Sequence, residues 1–190
     1  MDKFPVDSAT VAHRDAGEWG VQVAARGQYA EIRRLLRAAY GPYRAIVDAE
    51  VFAVYLADVL DIGEDGGTVL VARDAATVLG SARVFPLRPD GTAYVRGVAV
   101  RPDREGEGIA AALMTACAER ARAAGASSIH LHTTPFMSRA VSLYERLGYQ
   151  RDPQRDTDSR AHYGLTVEPR LRALAFRLEL ARTRRPTSRR

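Results

Sequence analysis

The chain is short of several things, and each shortage removes a class of function. Its one cysteine, Cys117, lies within a helical pattern, so neither a disulfide framework nor a cysteine zinc site is available. No apolar run approaches the roughly 20 residues of a membrane-spanning helix, and the opening "MDKFPVDSAT" has no apolar signal core. A cytoplasmic protein with no membrane partner is the expectation. One lysine, Lys3, stands against 27 arginines, which reads as coding bias rather than chemistry.

Acid is missing from one place, the last ten residues "ARTRRPTSRR", which carry five arginines. The net charge of +5 is concentrated there, because the rest of the chain holds 23 residues of each sign. A formally neutral body argues against a nucleic-acid-binding face spread over the fold. Residues 181–190 read as a frayed basic tail, though such a tail could also touch an acidic partner. Residues 1–180 read as one domain, since 46% hydrophobic and 27% charged residues suit a single ordinary core.

What is present is a clear alternation of patterns. "WGVQVAAR" alternates as a strand. Tyr29, Ile32, Leu35, Leu36 and Ala39 recur at helical spacing before "YGPY", and Val51, Phe52, Tyr55, Val59 and Leu60 mark a second helix over 48–60. Strands follow at "TVLVARD", "TVLGSARVFPL" and "GTAYVRGVAV", with Gly97 in the third as a bulge or point of close approach. A long helix then ends at Gly125. After the strand "SSIHLHTT", Thr134 and Pro135 are expected to cap and begin the helix "FMSRAVSLYERL", which Gly148 stops. "YQRDP" and "LRALAFRLEL" close the chain as strands. The order β-α-α-β-β-β-α-β-α-β-β predicts an α/β layer with a mixed sheet and a right-handed parallel crossover at its centre.

One segment carries chemistry. "RPDREGEGIAAAL" places Gly106 and Gly108 in the turn that opens the long helix, a place where backbone N–H groups and the helix dipole could hold a phosphate. Glu105 and Glu107 flank those glycines. Gly106, Gly108 and Ala111 also satisfy the dinucleotide pattern, but "RPDRE" is too long for its tight turn and "SSIHLHTT" lacks the ribose-binding acid. Without a ligand the glycines would simply turn the chain, and the glutamates would stabilise a helix start.

"VAVRPDREGEGIAAALM" resembles the pyrophosphate loop of the GNAT superfamily of acyl-CoA N-acyltransferases, and "SRAVSLYERLGYQRDP" resembles the helix and strand that end that family's cofactor site. The two occur in the family's order, one strand apart. The resemblance implies a GNAT-like α/β fold, a mixed and mostly antiparallel sheet with a central parallel splay and helices on both faces. It implies acetyl-CoA as donor, no metal, and direct attack by a primary amine in a ternary complex. The cofactor would be held by Val98, Ala99 and Val100, by Glu105, Gly106, Glu107, Gly108, Ile109 and Ala110, and by Met137 and Tyr144.

Three departures accompany it. The family places Arg or Gln at 105 and often a basic residue at 107. Several amide bonds to a phosphate, each about 1.5–3 kcal/mol, outweigh the screened repulsion of a solvated carboxylate; Arg104 is placed to compensate. Met137 stands where the family often has asparagine. Tyr94 stands where many members carry a glutamate base, and a phenol with a pKa of about 10 is a poor base.

Acyl transfer from a thioester needs a base for the ammonium, donors for the oxyanion and an acid for the thiolate. The resemblance assigns the acid to Tyr144, whose other reading is core packing. It assigns the base to His132, which matches a glutamate of the ribosomal-alanine acetyltransferases and whose neutral imidazole can take an ammonium proton directly or through water. His130 shares its face one pleat away. Either histidine could be an ordinary polar residue beside the sheet, and no third ligand accompanies them for a metal. Tyr40, Tyr43, Phe52 and Tyr55 either shape an acceptor pocket or pack as core. The acceptor is a small amine or a protein N-terminus, and the family often dimerises through its last strand. A catalytically silent CoA-binding domain is the alternative reading.

Overall fold

The computed structural model describes residues 19–63, 66–85, 87–158, 160–161, 164 and 171–180. The basic tail expected at 181–190 lies outside the described residues. The elements run β1 Gly20–Val23, α1 Tyr29–Tyr40, α2 Ala49–Leu60, β2 Thr68–Arg73, β3 Val78–Phe85, β4 Thr92–Val100, α3 Ile109–Ala123, β5 Ser128–Thr133, α4 Ser138–Arg146, β6 Gln150–Arg151, β7 Thr157–Asp158 and β8 Arg172–Glu179. The sheet order is β1-β2-β3-β4-β5-β8-β6, with β7 pairing β8. Every pairing is antiparallel except β4 with β5. Among the described residues no helix is long and apolar enough to cross a membrane.

Strand alternation divides the core between two faces. Along β2, Leu70 and Ala72 join Leu113, Met114 and Cys117 of α3. Val69 and Val71 point the other way and join Ile32, Leu36 and Val59 of α1 and α2. Asp48 caps α2 through its carboxylate, which accepts from the N–H groups of Glu50 and Val51 at 2.9 and 3.3 Å. At Gly80 of β3 an added Cβ would lie 2.8 Å from Ile109 and 2.9 Å from the Ala99 carbonyl, so α3 seats its first turn directly on the strand.

Gly97 makes a bulge, as its place in the strand suggested. Ser81 pairs Ala99 but Arg83 pairs Arg96, leaving Gly97 and Val98 opposite one residue of β3. Its φ of +63° is a conformation L side chains rarely adopt. Beside it the Arg83 guanidinium, buried at 2% exposure, donates to the carbonyls of Val59 at 3.0 Å and Asp58 at 3.3 Å, and also to that of Asp61. A buried arginine thus ties the end of α2 to the sheet.

Three expectations need correction. The first strand stops at Val23, because the chain turns into a short 3-10 segment at Arg26–Gln28. Thr134 and Pro135 do not start a helix; the Met137 N–H closes a turn on the Thr134 carbonyl at 3.0 Å and α4 begins at Ser138. Proline's fixed φ serves the second position of a turn as well as the first of a helix. The polar segment before the last strand contains a further strand, β7.

Candidate active site

β4 and β5 pair only from Thr92↔Ser128 to Val95↔Leu131. Beyond that point the strands part, and Val98, Ala99 and Val100 line a cleft of about 1010 Å³ between them. A tyrosine reaches into the gap: the Tyr40 hydroxyl donates to the Val98 carbonyl at 3.0 Å. Burial pushes its pKa up to about 12, partly offset by a hydrogen bond from Tyr55. Rings of Tyr55, Tyr40, Tyr43 and Phe136 follow one another at 5.7, 6.4 and 5.4 Å, an aromatic wall beside the gap. Phe52 is buried on α2 and does not line the cleft.

At the outer end of the cleft stands the mouth of α3. Gly108 caps the helix with φ +81° and Gly106 has φ +88°, both left-handed. Among the described residues no acceptor takes the N–H groups of Gly106, Gly108, Ile109 or Ala110. These are the orphan donors of a helix start, and no side chain caps them. Glu105, Gly106, Gly108, Ile109 and Ala110 all line the cleft; Glu107 does not.

Each glutamate has an arginine. Glu107 is held in a fork by Arg104, Nε to Oε1 at 2.6 Å and Nη2 to Oε2 at 2.8 Å, which holds its carboxyl below the ordinary range. Arg104 lines the cleft as well, engaged with Glu107 and, at 4.0 Å, with Asp74. Glu105 pairs with Arg139 from the first turn of α4. Tyr43 lies beside that second pair: burial raises its pKa, Glu105 raises it further and Arg139 lowers it. Nothing in the sequence around 139 marks it as a partner of residue 105.

Deeper in, Met137 lines the cleft at the start of α4 and its sulfur takes the Thr133 hydroxyl at 3.7 Å. Tyr144 also lines it, packed between Tyr149 and Phe176 with ring centroids 5.9 and 6.0 Å away. Burial raises the Tyr144 pKa far above that of a free phenol, so the group keeps its proton. Its packing and its place in the cleft are therefore compatible rather than alternatives.

His132 lines the cleft too, but neither ring nitrogen is free. Nε2 lies 2.8 Å from the Arg155 carbonyl and Nδ1 lies 3.1 Å from the Tyr94 hydroxyl. A carbonyl only accepts, so Nε2 carries the hydrogen and Nδ1 accepts from the phenol. Tyr94, set aside above as a poor base, lines the cleft beside His132. Burial pushes the Tyr94 pKa up to about 12, against the pull of Arg88 stacked 4.9 Å from its ring. His130 does not join them. It is buried, bonds Ser128 at 3.2 Å, and has its pKa lowered first by desolvation.

The last strand, through which the family often dimerises, lies inside the sheet. β5 runs along one side of β8, and β6 and β7 take the other.

With this geometry in hand, comparisons with known proteins are informative. The sequence profile described as the acetyltransferase (GNAT) family matches residues 29–149. None of the curated proteins matches the chain by sequence. Solved structures match it closely in fold. YncA from Salmonella typhimurium, solved with acetyl-CoA, is 20% identical with a TM-score of 0.63, over 91% of this chain and all of that one. The ribosomal-protein-S18-alanine N-acetyltransferase of Escherichia coli is 17% identical with a TM-score of 0.62, over 90% and 99%. An IAA acetyltransferase from Bacillus cereus is 20% identical with a TM-score of 0.59, over 85% and 99%.

Proposed function

This chain belongs to the GNAT acetyltransferase family, and on that premise we propose that it transfers an acetyl group from acetyl-CoA to a primary amine by direct attack. One observation carries the reading. The unshared N–H groups at the mouth of α3 open into the same cleft as Tyr144 and the Tyr94–His132 pair.

The residues divide the work as follows. Donors at Gly106, Gly108, Ile109 and Ala110 hold the diphosphate, each bond contributing about 1.5–3 kcal/mol. Val98 to Val100 flank the pantetheine arm, and the Val98 carbonyl keeps one lone pair beside the bond from Tyr40. Met137 supplies apolar wall. The acceptor nitrogen attacks the thioester carbon from the side of Tyr94. As the C–N bond forms, an ammonium proton passes to the Tyr94 oxygen while the Tyr94 proton passes to Nδ1 of His132. As the C–S bond breaks, the sulfur takes the Tyr144 proton. Burial penalises the Tyr144 phenolate left behind, which solvent reprotonates as the thiol product leaves the cleft.

The acceptor is a small amine or a protein N-terminus; structurally similar proteins are named for streptothricin and for a ribosomal-protein alanine. The engagement of both His132 nitrogens favours a second reading, a domain of this family that binds acetyl-CoA without turnover.

Thermal shift with acetyl-CoA, followed by thiol release with a panel of amines, separates these readings. Binding must raise the melting point. Tyr144→Phe is expected to keep cofactor affinity and lower kcat by about 10²-fold or more. Binding without turnover on any amine supports the silent reading, and an unchanged melting point over a wide range of acetyl-CoA overturns both.

A further inference from the structure

The proposed chemistry makes no use of a polar cluster at the start of β4 and the end of β6. Asp90 binds the N–H and hydroxyl of Thr92 through Oδ1, at 3.1 and 2.6 Å, which fixes it to β4. Its other oxygen lies 3.7 Å from Nη2 of Arg155, and Asp152 Oδ2 lies 3.4 Å from Nε of the same side chain. Arg155 ends the short 3-10 turn Pro153–Arg155. That turn is anchored at its base, where the Asp152 N–H donates to the Ala175 carbonyl at 3.0 Å. Two carboxylates from separate elements thus grip one arginine, and the main-chain carbonyl of that arginine receives Nε2–H of His132.

The consequence lies in the imidazole tautomer. A neutral histidine has one donor nitrogen and one acceptor, and the bond at one fixes the role of the other. With the Arg155 carbonyl in place, Nδ1 is the acceptor and the Tyr94 proton points toward it. If the turn drifted away, Nδ1–H would become accessible. Tyr94 would then accept from the ring and could hand no proton to it.

We propose that Asp90, Asp152 and Arg155 form a positioning clamp that holds the Arg155 carbonyl on Nε2 and so keeps His132 in the tautomer that receives from Tyr94. None of the three touches reacting atoms. The clamp itself is a statement about the ring; its effect on rate rests on the proton route proposed above.

The test reads the ring directly. In full-length protein labelled with 15N-histidine, long-range 1H–15N spectra at neutral pH distinguish the two tautomers, with His132 assigned by loss of its signals in His132→Gln. The wild type is expected to show only the Nε2–H form. Arg155→Ala keeps the carbonyl but frees the turn, and should show both tautomers, with kcat down about tenfold and KM for acetyl-CoA unchanged. Arg155→Lys should restore most of both signals, and Asp90→Asn, at the other end of the clamp, should give a partial mixture. A wild-type tautomer pattern in Arg155→Ala and Asp90→Asn overturns the clamp. Mixed tautomers with undiminished kcat would support the clamp while overturning the proton route.

Discussion

Removing Arg83 tests how α2 is held over the cleft. In Arg83→Met the side-chain volume is nearly kept, while the donors to three carbonyls are lost. The Val59 carbonyl is bonded in a buried setting, and those of Asp58 and Asp61 are only part-buried. A dry acceptor left unpaired costs about 2 kcal/mol, and two that water can reach cost less than about 1 kcal/mol each. The sum, about 3 kcal/mol, is reduced somewhat because the mutant no longer desolvates a guanidinium. For a domain of this size each kcal/mol moves Tm by about 2–4 °C, so a fall of about 6–10 °C is expected by calorimetry. Arg83→Lys should fall in between, since one ammonium cannot span three acceptors set in a fork. Function should change selectively. α2 contributes Tyr55 and Val59 to the cleft, whereas the proposed phosphate donors sit at the mouth and first turn of α3. The KM for the amine should rise while acetyl-CoA affinity stays within about twofold. A melting point within about 2 °C of wild type, or full rescue by lysine, would refute the capping role.

The charge pairs at the helix mouth should show opposite signs. Glu107→Gln frees Arg104 and is expected to tighten acetyl-CoA about two- to fivefold at low ionic strength, Arg104→Gln to weaken it similarly, and the double variant to return near wild type. Titration calorimetry at low and physiological salt checks this, and equal effects at both salts would count against an electrostatic origin. Asp156 gives a pH prediction. Its carboxyl is held at about 2, below the ordinary 3.8, first by the Arg151 fork at 3.0 and 2.8 Å, with help from the Ala175 N–H and Arg172. The folded-state pKa is depressed, so this stabilisation is complete above about pH 4 and is lost as pH falls toward about 2. Urea midpoints of wild type and Asp156→Asn should therefore differ near neutrality and converge as pH falls to about 2. A constant gap would disprove the assignment.

Much of this architecture was legible because its signals are local. Helical spacing in α1 and α2, apolar runs bounded by turn residues in β2 to β5, and the glycines after α3 and α4 each act within a few residues. The bulge at Gly97 was legible for the same reason. What escaped depends on contacts distant in sequence. β8 inserts between β5 and β6, a choice set by sheet packing that no stretch of the final strand reveals. β7 has two residues and exists only because Thr157 and Asp158 meet Ala173 and Arg172. Thr134 and Pro135 were misjudged because the same pair satisfies a turn and a helix start, and the chain leaving β5 has to turn first.

The departures from the family pattern follow the same logic, and they are half-signals. Glu105 reads as a defect in a phosphate loop until Arg139, 34 residues on, is found against it. Tyr94 reads as a failed base until His132, 38 residues on, is found at 3.1 Å. In each case a motif scored position by position loses a residue, while a partner for the residue present stands on a neighbouring element. The helix mouth shows why this exchange is tolerated. The phosphate donors proposed for it are main-chain groups that no substitution at 105 or 107 removes, so side chains there are free to change if their charge is matched nearby. The reacting end has no such main-chain provision for a proton. On the proposed reading a base absent from β4 is replaced by a side chain within hydrogen-bond reach, and β5 is the strand that pairs with β4 there, with Tyr94 directly opposite His130 and two residues short of His132.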